Sequence, residues 1–169
     1  MTVTLAKDDH VRGSGPVTML VYGDYECPYT RALEVVVRQL RTRDGDTFRY
    51  VYRYFPLREI HPHAQPAAEA AEAVFAQRGA DAFWRMHDDL FADQYRLEPD
   101  DLVQRALNAG ANERAFRQAL QTHQFADRVE RDVQSGSANG VEGTPSIFIN
   151  GERYHGKRDE RSLREAMAR

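Results

Sequence analysis

Cys27 is the only cysteine of this 169-residue chain, and it stands in Tyr25-Glu26-Cys27-Pro28-Tyr29-Thr30. A thiolate is both a strong nucleophile and a redox group, so the chemistry open to this segment is attack on a disulfide or on a small electrophile. An apolar run ends at Tyr22, and a helical pattern begins at Pro28. At such a junction the sulfur faces the backbone N–H groups of Tyr29 and Thr30 and the positive end of the helix dipole, which both favour the thiolate. Pro28 removes an N–H that lacks a partner in any case, and the Thr30 hydroxyl can donate as well. Asp24 and Glu26 act in the opposite sense, because a nearby carboxylate disfavours a second negative charge. A single cysteine also has a plainer use as a small buried apolar residue; its place before Pro-Tyr at a strand-to-helix junction favours the reactive role.

A second constellation is Gly143-Thr144-Pro145, directly before the apolar run Ser146 to Ile149. Proline is tolerated at the first residue of a strand, and a cis bond there is a maintained feature; a plain turn proline is the other reading. The remaining candidates are weaker. His61 and His63 flank Pro62, while His87, His123 and His155 lie far apart. No recurring ligand spacing appears, so no metal site is expected. The His-Pro-His run shapes the loop that follows, though one of its imidazoles can reach the Cys27 cleft. Gly13-Ser14-Gly15 lacks the strand-before, helix-after setting of a phosphate loop. Phe75, Phe83, Trp84 and Phe91 fall at near-helical spacings and read as core, whereas Glu69 and Glu72 read as a solvated helix face.

The elements that must position these residues follow from periodicity. Val17 to Tyr22 is short, apolar and rich in β-branched residues, which suits a strand buried on both faces. From Pro28, Leu33, Val36, Val37 and Leu40 continue at helical spacing to about Thr42, and Asp44-Gly45-Asp46 makes a turn. Phe48 to Phe55 is a second strand, and a crossover of this length favours a parallel pair. Helical stretches are expected at Ala64–Gln77, Ala80–Phe91, Pro99–Ala109 and Glu113–Gln134. After them come the strand Ser146–Ile149, an Asn150-Gly151 hairpin turn, a strand over Glu152–His155, and a closing helix over Arg158–Ala168. Met1 to Pro16 is polar and precedes the core. The length suits one domain over residues 1–169, with a helical block at about 62–138 inserted between strands.

Apolar residues make up 41 % and charged residues 29 % of the chain, and the net charge is −3. That balance, with arginines interleaved among acids, argues against nucleic acid as a partner. No run approaches the ~18 apolar residues of a membrane span. The first twelve residues have no apolar signal core, so a cytoplasmic location is expected, and a reducing compartment suits a free thiol.

Together the motifs resemble a known family. Tyr22-Gly23-Asp24-Tyr25-Glu26-Cys27-Pro28-Tyr29, Phe55-Pro56-Leu57, His61-Pro62-His63-Ala64, Gly143-Thr144-Pro145 and Ile149-Asn150-Gly151 occur in the order seen in the DsbA-like branch of the thioredoxin fold. The resemblance runs from Val17 to the C-terminus and includes the helical insertion. It implies an α/β fold with a mixed central sheet flanked by helices. It also implies a nucleophilic cysteine at Cys27 and a substrate-facing cis-proline loop at Thr144 and Pro145. The family's second active-site cysteine falls at Thr30, so the Cys-x-x-Cys pair is absent. The expected activity is therefore thiol–disulfide exchange by a monothiol route, in which Cys27 forms a mixed disulfide that an outside thiol resolves. Partners would be a disulfide-containing protein or small thiol, with no bound cofactor and with glutathione or another low-molecular-weight thiol as co-substrate. A glutathione-dependent transferase or isomerase acting on a small molecule, and a non-catalytic peptide-binding module, are the alternatives.

Overall fold

The computed structural model describes residues 2–169. Five strands form one mixed sheet: β1 (His10–Gly13), β2 (Val17–Gly23), β3 (Phe48–Tyr54), β4 (Ser146–Ile149) and β5 (Glu152–Tyr154), in the order β1-β3-β2-β4-β5. β2 and β3 are parallel, and every other pairing is antiparallel. The parallel pair is the one joined by a helix, α1 (Pro28–Asp44), as a crossover requires. Between β3 and β4 lie five helices: α2 (Ala64–Arg78), α3 (Ala80–Ala92), α4 (Pro99–Asn108), α5 (Glu113–Gln121) and α6 (Ala126–Ala138). The last helix, α7 (Glu160–Met167), follows β5.

The central strands alternate their faces with period two. Met19, Val21, Tyr50, Tyr52, Tyr54 and Ile147 enter the larger core with α1, α7 and the helical block. Leu20, Tyr22, Val51, Phe55 and Phe148 form a smaller core on the opposite face. Because both faces are covered, β2 and β3 read in sequence as nearly continuous apolar runs.

Three expectations change. β1 lies inside the segment read as a polar prelude. Its inward residues are His10, stacked on Phe83 at 3.9 Å, and Arg12, set over Trp84 at 4.4 Å, so its strand pattern carries no apolar alternation. The single helix expected over Glu113–Gln134 is two. Residues 122–125 break it, with His123 at φ 52° and the Gln124 N–H turned back to the Ala119 carbonyl at 3.0 Å. Glu69 and Glu72 are buried rather than solvated, at 3 % and 6 % exposure. α2 has no solvent face at these positions, because its small alanines let α3, α5 and α6 close around it. Glu72 accepts hydrogen bonds from His10 Nε2 and the Tyr54 hydroxyl, each at 2.7 Å.

Candidate functional site

The sheet brings the two sequence constellations together. In the β2–β4 pairing Tyr22 lies opposite Ser146, so the chain leaving β2 toward Cys27 passes the chain entering β4 from Thr144. Gly23 is opposite Tyr54 in the parallel pairing, which puts the segment after β3 at the same end of the sheet. Gly23 is required there, since a Cβ would meet the Tyr52 ring at 2.5 Å and Thr30 Cγ2 at 2.9 Å.

Cys27 is the N-cap residue of α1, with Pro28 at the first helical position. It is 2 % exposed. Its thiol donates to the Thr144 carbonyl at 3.6 Å, and the Thr144–Pro145 peptide is cis. The Cys27 side chain makes no cap hydrogen bond, so the expected donation from the Tyr29 and Thr30 N–H groups is not made in this arrangement. The sulfur acts instead as a donor, giving its one proton to the hydrogen bond with the Thr144 carbonyl. The Thr30 side chain is fully buried, and its hydroxyl oxygen accepts from the Asp24 N–H at 3.4 Å instead of turning to the sulfur. Tyr29 points outward, at 69 % exposure.

The loop that carries Cys27 is organised by residues the sequence did not single out for this role. Asp24 is buried, and its carboxylate accepts from four donors. Oδ1 takes the N–H groups of Glu26 at 2.7 Å and Cys27 at 3.1 Å. Oδ2 takes the Leu57 N–H at 2.8 Å and His61 Nδ1 at 2.9 Å. Gln94, just beyond α3, donates one amide nitrogen to the carbonyls of Tyr25 and Cys27, at 2.9 and 3.0 Å. Glu26 accepts from the backbone N–H and ring Nδ1 of His63, whose Nε2 reaches Glu98 at 2.9 Å. The hydrogen bond to Glu26 is the main reason the His63 imidazole is held above its ordinary value, with Glu98 adding to it. Both histidines of His-Pro-His therefore brace the Cys27 loop. No spacing rule could have found Gln94 or the Asp24–His61 pair, because the partners are 37 to 69 residues apart.

Tyr25 anchors the loop from below. Its phenol bonds His87 Nδ1 at 2.9 Å, and its ring packs on those of Tyr52 and Phe91 at 5.3 and 5.0 Å. Burial pushes that phenol well up, so it stays protonated. Farther along α1, ligand-type atoms of Glu34, His87 and Asp88 lie within 4.8 Å of one another. Arg12 grips both Asp88 oxygens and Tyr50 donates to Glu34, so most of these lone pairs are already engaged. None of the histidines singled out in sequence joins Cys27 in a ligand set. No helix among the described residues is long and apolar enough to cross a membrane.

A family model described as Thioredoxin matches residues 6–169. The chain is 45 % identical over 161 residues to part of the Na(+)/H(+) antiporter NhaA 1 of Salinispora arenicola, covering 94 % of this chain and 24 % of that protein. To NhaA 1 of Mycolicibacterium gilvum it is 37 % identical over 163 residues, covering 94 % and 26 %. The chain thus spans about a quarter of the length of the curated relatives it matches. Among solved structures, oxidised BdbD of Bacillus subtilis superposes with a TM-score of 0.84 at 23 % identity, over 95 % of this chain and 91 % of that one. The thiol-disulfide exchange protein alpha-DsbA2 of Wolbachia pipientis gives 0.80 at 21 % identity, over 96 % and 87 %. These likenesses establish the fold as that of the DsbA-like proteins.

Proposed function

The chain belongs to the thioredoxin family, and from that premise we propose that it is a thiol–disulfide oxidoreductase working through a single thiol. One observation carries the reading: Cys27 caps a helix and touches the Thr144 carbonyl of the cis-proline loop, while a buried threonine fills the second-cysteine position. The Cys27 thiolate attacks one sulfur of a partner disulfide. The Cys27–sulfur bond forms, the partner's S–S bond breaks, and the other partner sulfur leaves as a thiolate. With no second cysteine the chain cannot close an internal disulfide. An outside thiolate then bonds the outer sulfur, and Cys27 leaves as a thiolate at the positive end of the α1 dipole. Glutathione or a similar small thiol fits this step, which also favours a reducing compartment such as the cytoplasm.

To react, the sulfur must turn from the Thr144 carbonyl, giving up one weak hydrogen bond. Thr144 and Pro145 then face the substrate. Cys27→Ser is expected to abolish exchange with a model disulfide while leaving the thermal midpoint nearly unchanged. Full exchange activity in that variant defeats the proposal.

The burial of Cys27 favours a second reading, a peptide-binding module that has given up redox chemistry; peptide capture unaffected by Cys27→Ser would support it. The relatives' names add a partner. We infer that this domain works with a sodium–proton antiporter, and co-purification with one is the test.

A further inference from the structure

We propose that the cleft between α1 and α3 is a docking site for the carboxylates of an acidic low-molecular-weight thiol, the thiol that releases Cys27. This rests on the monothiol reading above. The cleft has a volume of about 260 Å³ and is lined by Arg12, Arg31 and Arg38 against Glu34 and Asp88. Arg12 is committed to Asp88 by two hydrogen bonds, at 3.0 and 2.8 Å. Glu34 is committed to Tyr50 and lies 3.2 Å from His87 Nε2. Arg31 gives only its Nε, to the Phe91 carbonyl at 3.0 Å, and among the described residues neither Arg31 nor Arg38 forms an ion pair. Both are exposed. Arg41 lies close by, and after burial it is Arg12's charge that disfavours its own. On a chain of net charge −3, this cleft carries a local excess of positive charge.

Its position ties it to Cys27. From Cys27 to Arg31, and from Arg31 through Glu34 or Val35 to Arg38, every step is three or four residues, the spacing of a single helix stripe. The Arg31 N–H bonds the Cys27 carbonyl at 3.1 Å, so Arg31 is one turn from the sulfur. Helical side chains lean toward the N-terminus. Arg38 is thereby placed one turn beyond half-exposed Val35 on the Arg31 side of the cleft. At the other wall Phe91 and Ala92 lead directly to Gln94, which is bonded to the Cys27 carbonyl. Two guanidinium groups without an ion-pair partner, beside Val35, Phe91 and Ala92, suit a small molecule bearing two carboxylates. A metal ion is disfavoured by the same charges.

The test uses the protein with Cys27 converted to its mixed disulfide with 2-mercaptoethanol. Release is timed with glutathione (two carboxylates), 2-mercaptoethanol (uncharged) and cysteamine (cationic), each rate corrected for its thiolate fraction. Glutathione is expected to outpace cysteamine by about tenfold beyond the ratio seen with a small disulfide. That advantage should shrink in Arg31→Gln/Arg38→Gln and at high salt. Should the double variant not fold, exposed Arg38→Gln alone carries the test. Rates in the ratio seen with the small disulfide overturn the cleft and leave the monothiol route standing. If no thiol forms a disulfide with Cys27 at all, both fall.

Discussion

The Asp24 carboxylate holds the backbone of the Cys27 loop and the segment after β3 at once, through donors on Glu26, Cys27, Leu57 and His61. Asp24→Ala leaves the Glu26 and Leu57 N–H groups without an acceptor, while the Cys27 N–H keeps the Asp24 backbone carbonyl at 3.1 Å; a buried orphan donor costs ~1–3 kcal/mol. The expected loss is about 3 kcal/mol by denaturant unfolding; a loss within error of zero would mean that water or a rearranged loop replaces it. His63 makes a pH-dependent brace. Its value is raised in the fold above 6.5, first by Glu26 and then by Glu98. A base whose folded value is raised stabilises fully below its unfolded value and loses that contribution as pH rises through the folded one. The difference in thermal midpoint between the wild type and His63→Gln is therefore expected to be largest near pH 6 and to shrink as pH climbs past neutrality. A difference constant with pH would assign His63 a packing role only.

At the scale of elements, α6 depends on one small residue. A Cβ at Gly136 would meet the Phe55 ring at 2.8 Å and the Tyr22 ring at 3.1 Å, so glycine lets the helix press onto the smaller core. Gly136→Ala gains up to ~1 kcal/mol of helix propensity but forces overpacking of ~1–3 kcal/mol. A net destabilisation is expected, read from the denaturant midpoint; a stabilised variant would mean that the rings yield freely. The elements that were legible share a cause. β2, β3, α1 and the Asn150-Gly151 hairpin announce themselves because local pattern and final environment agree; Asn150 and Gly151 take φ of 50° and 87° as that turn demands. β1 and the α5–α6 break were not legible. β1 turns His10 and Arg12 inward, and their partners Glu72 and Asp88 arrive from α2 and α3. The α5–α6 break at His123 has neither glycine nor proline to mark it.

Across the whole molecule, buried charge couples the sheet to the helical block. Glu72 of α2 receives His10 of β1 and Tyr54 of β3, and Arg128 of α6 lies 3.5 Å away. Burial alone would push the Glu72 carboxyl up. The hydrogen bond from His10, with Tyr54 and Arg128, outweighs that and keeps it below its ordinary value. Removing one partner of such a group strands the others, so Glu72→Ala is expected to cost about 3 kcal/mol in cooperative unfolding. Unchanged stability would show the network to be dispensable. The same long-range closure explains the candidate site. Cys27 stood out in sequence as the lone thiol at a strand-to-helix junction, and the Thr144-Pro145 loop through the family resemblance, whereas Asp24, His61, Gln94 and the arginine cleft acquire their contacts only once β2, β3, α3 and β4 converge. On the proposed function, Cys27 reacts reversibly as a lone thiol. Intact-mass measurement after exposure to oxidised glutathione tests it most directly. A single glutathione adduct that forms on Cys27, is absent in Cys27→Ser and is removed by reduced thiol is the predicted result. A folded protein whose Cys27 stays unmodified through prolonged exposure would contradict it.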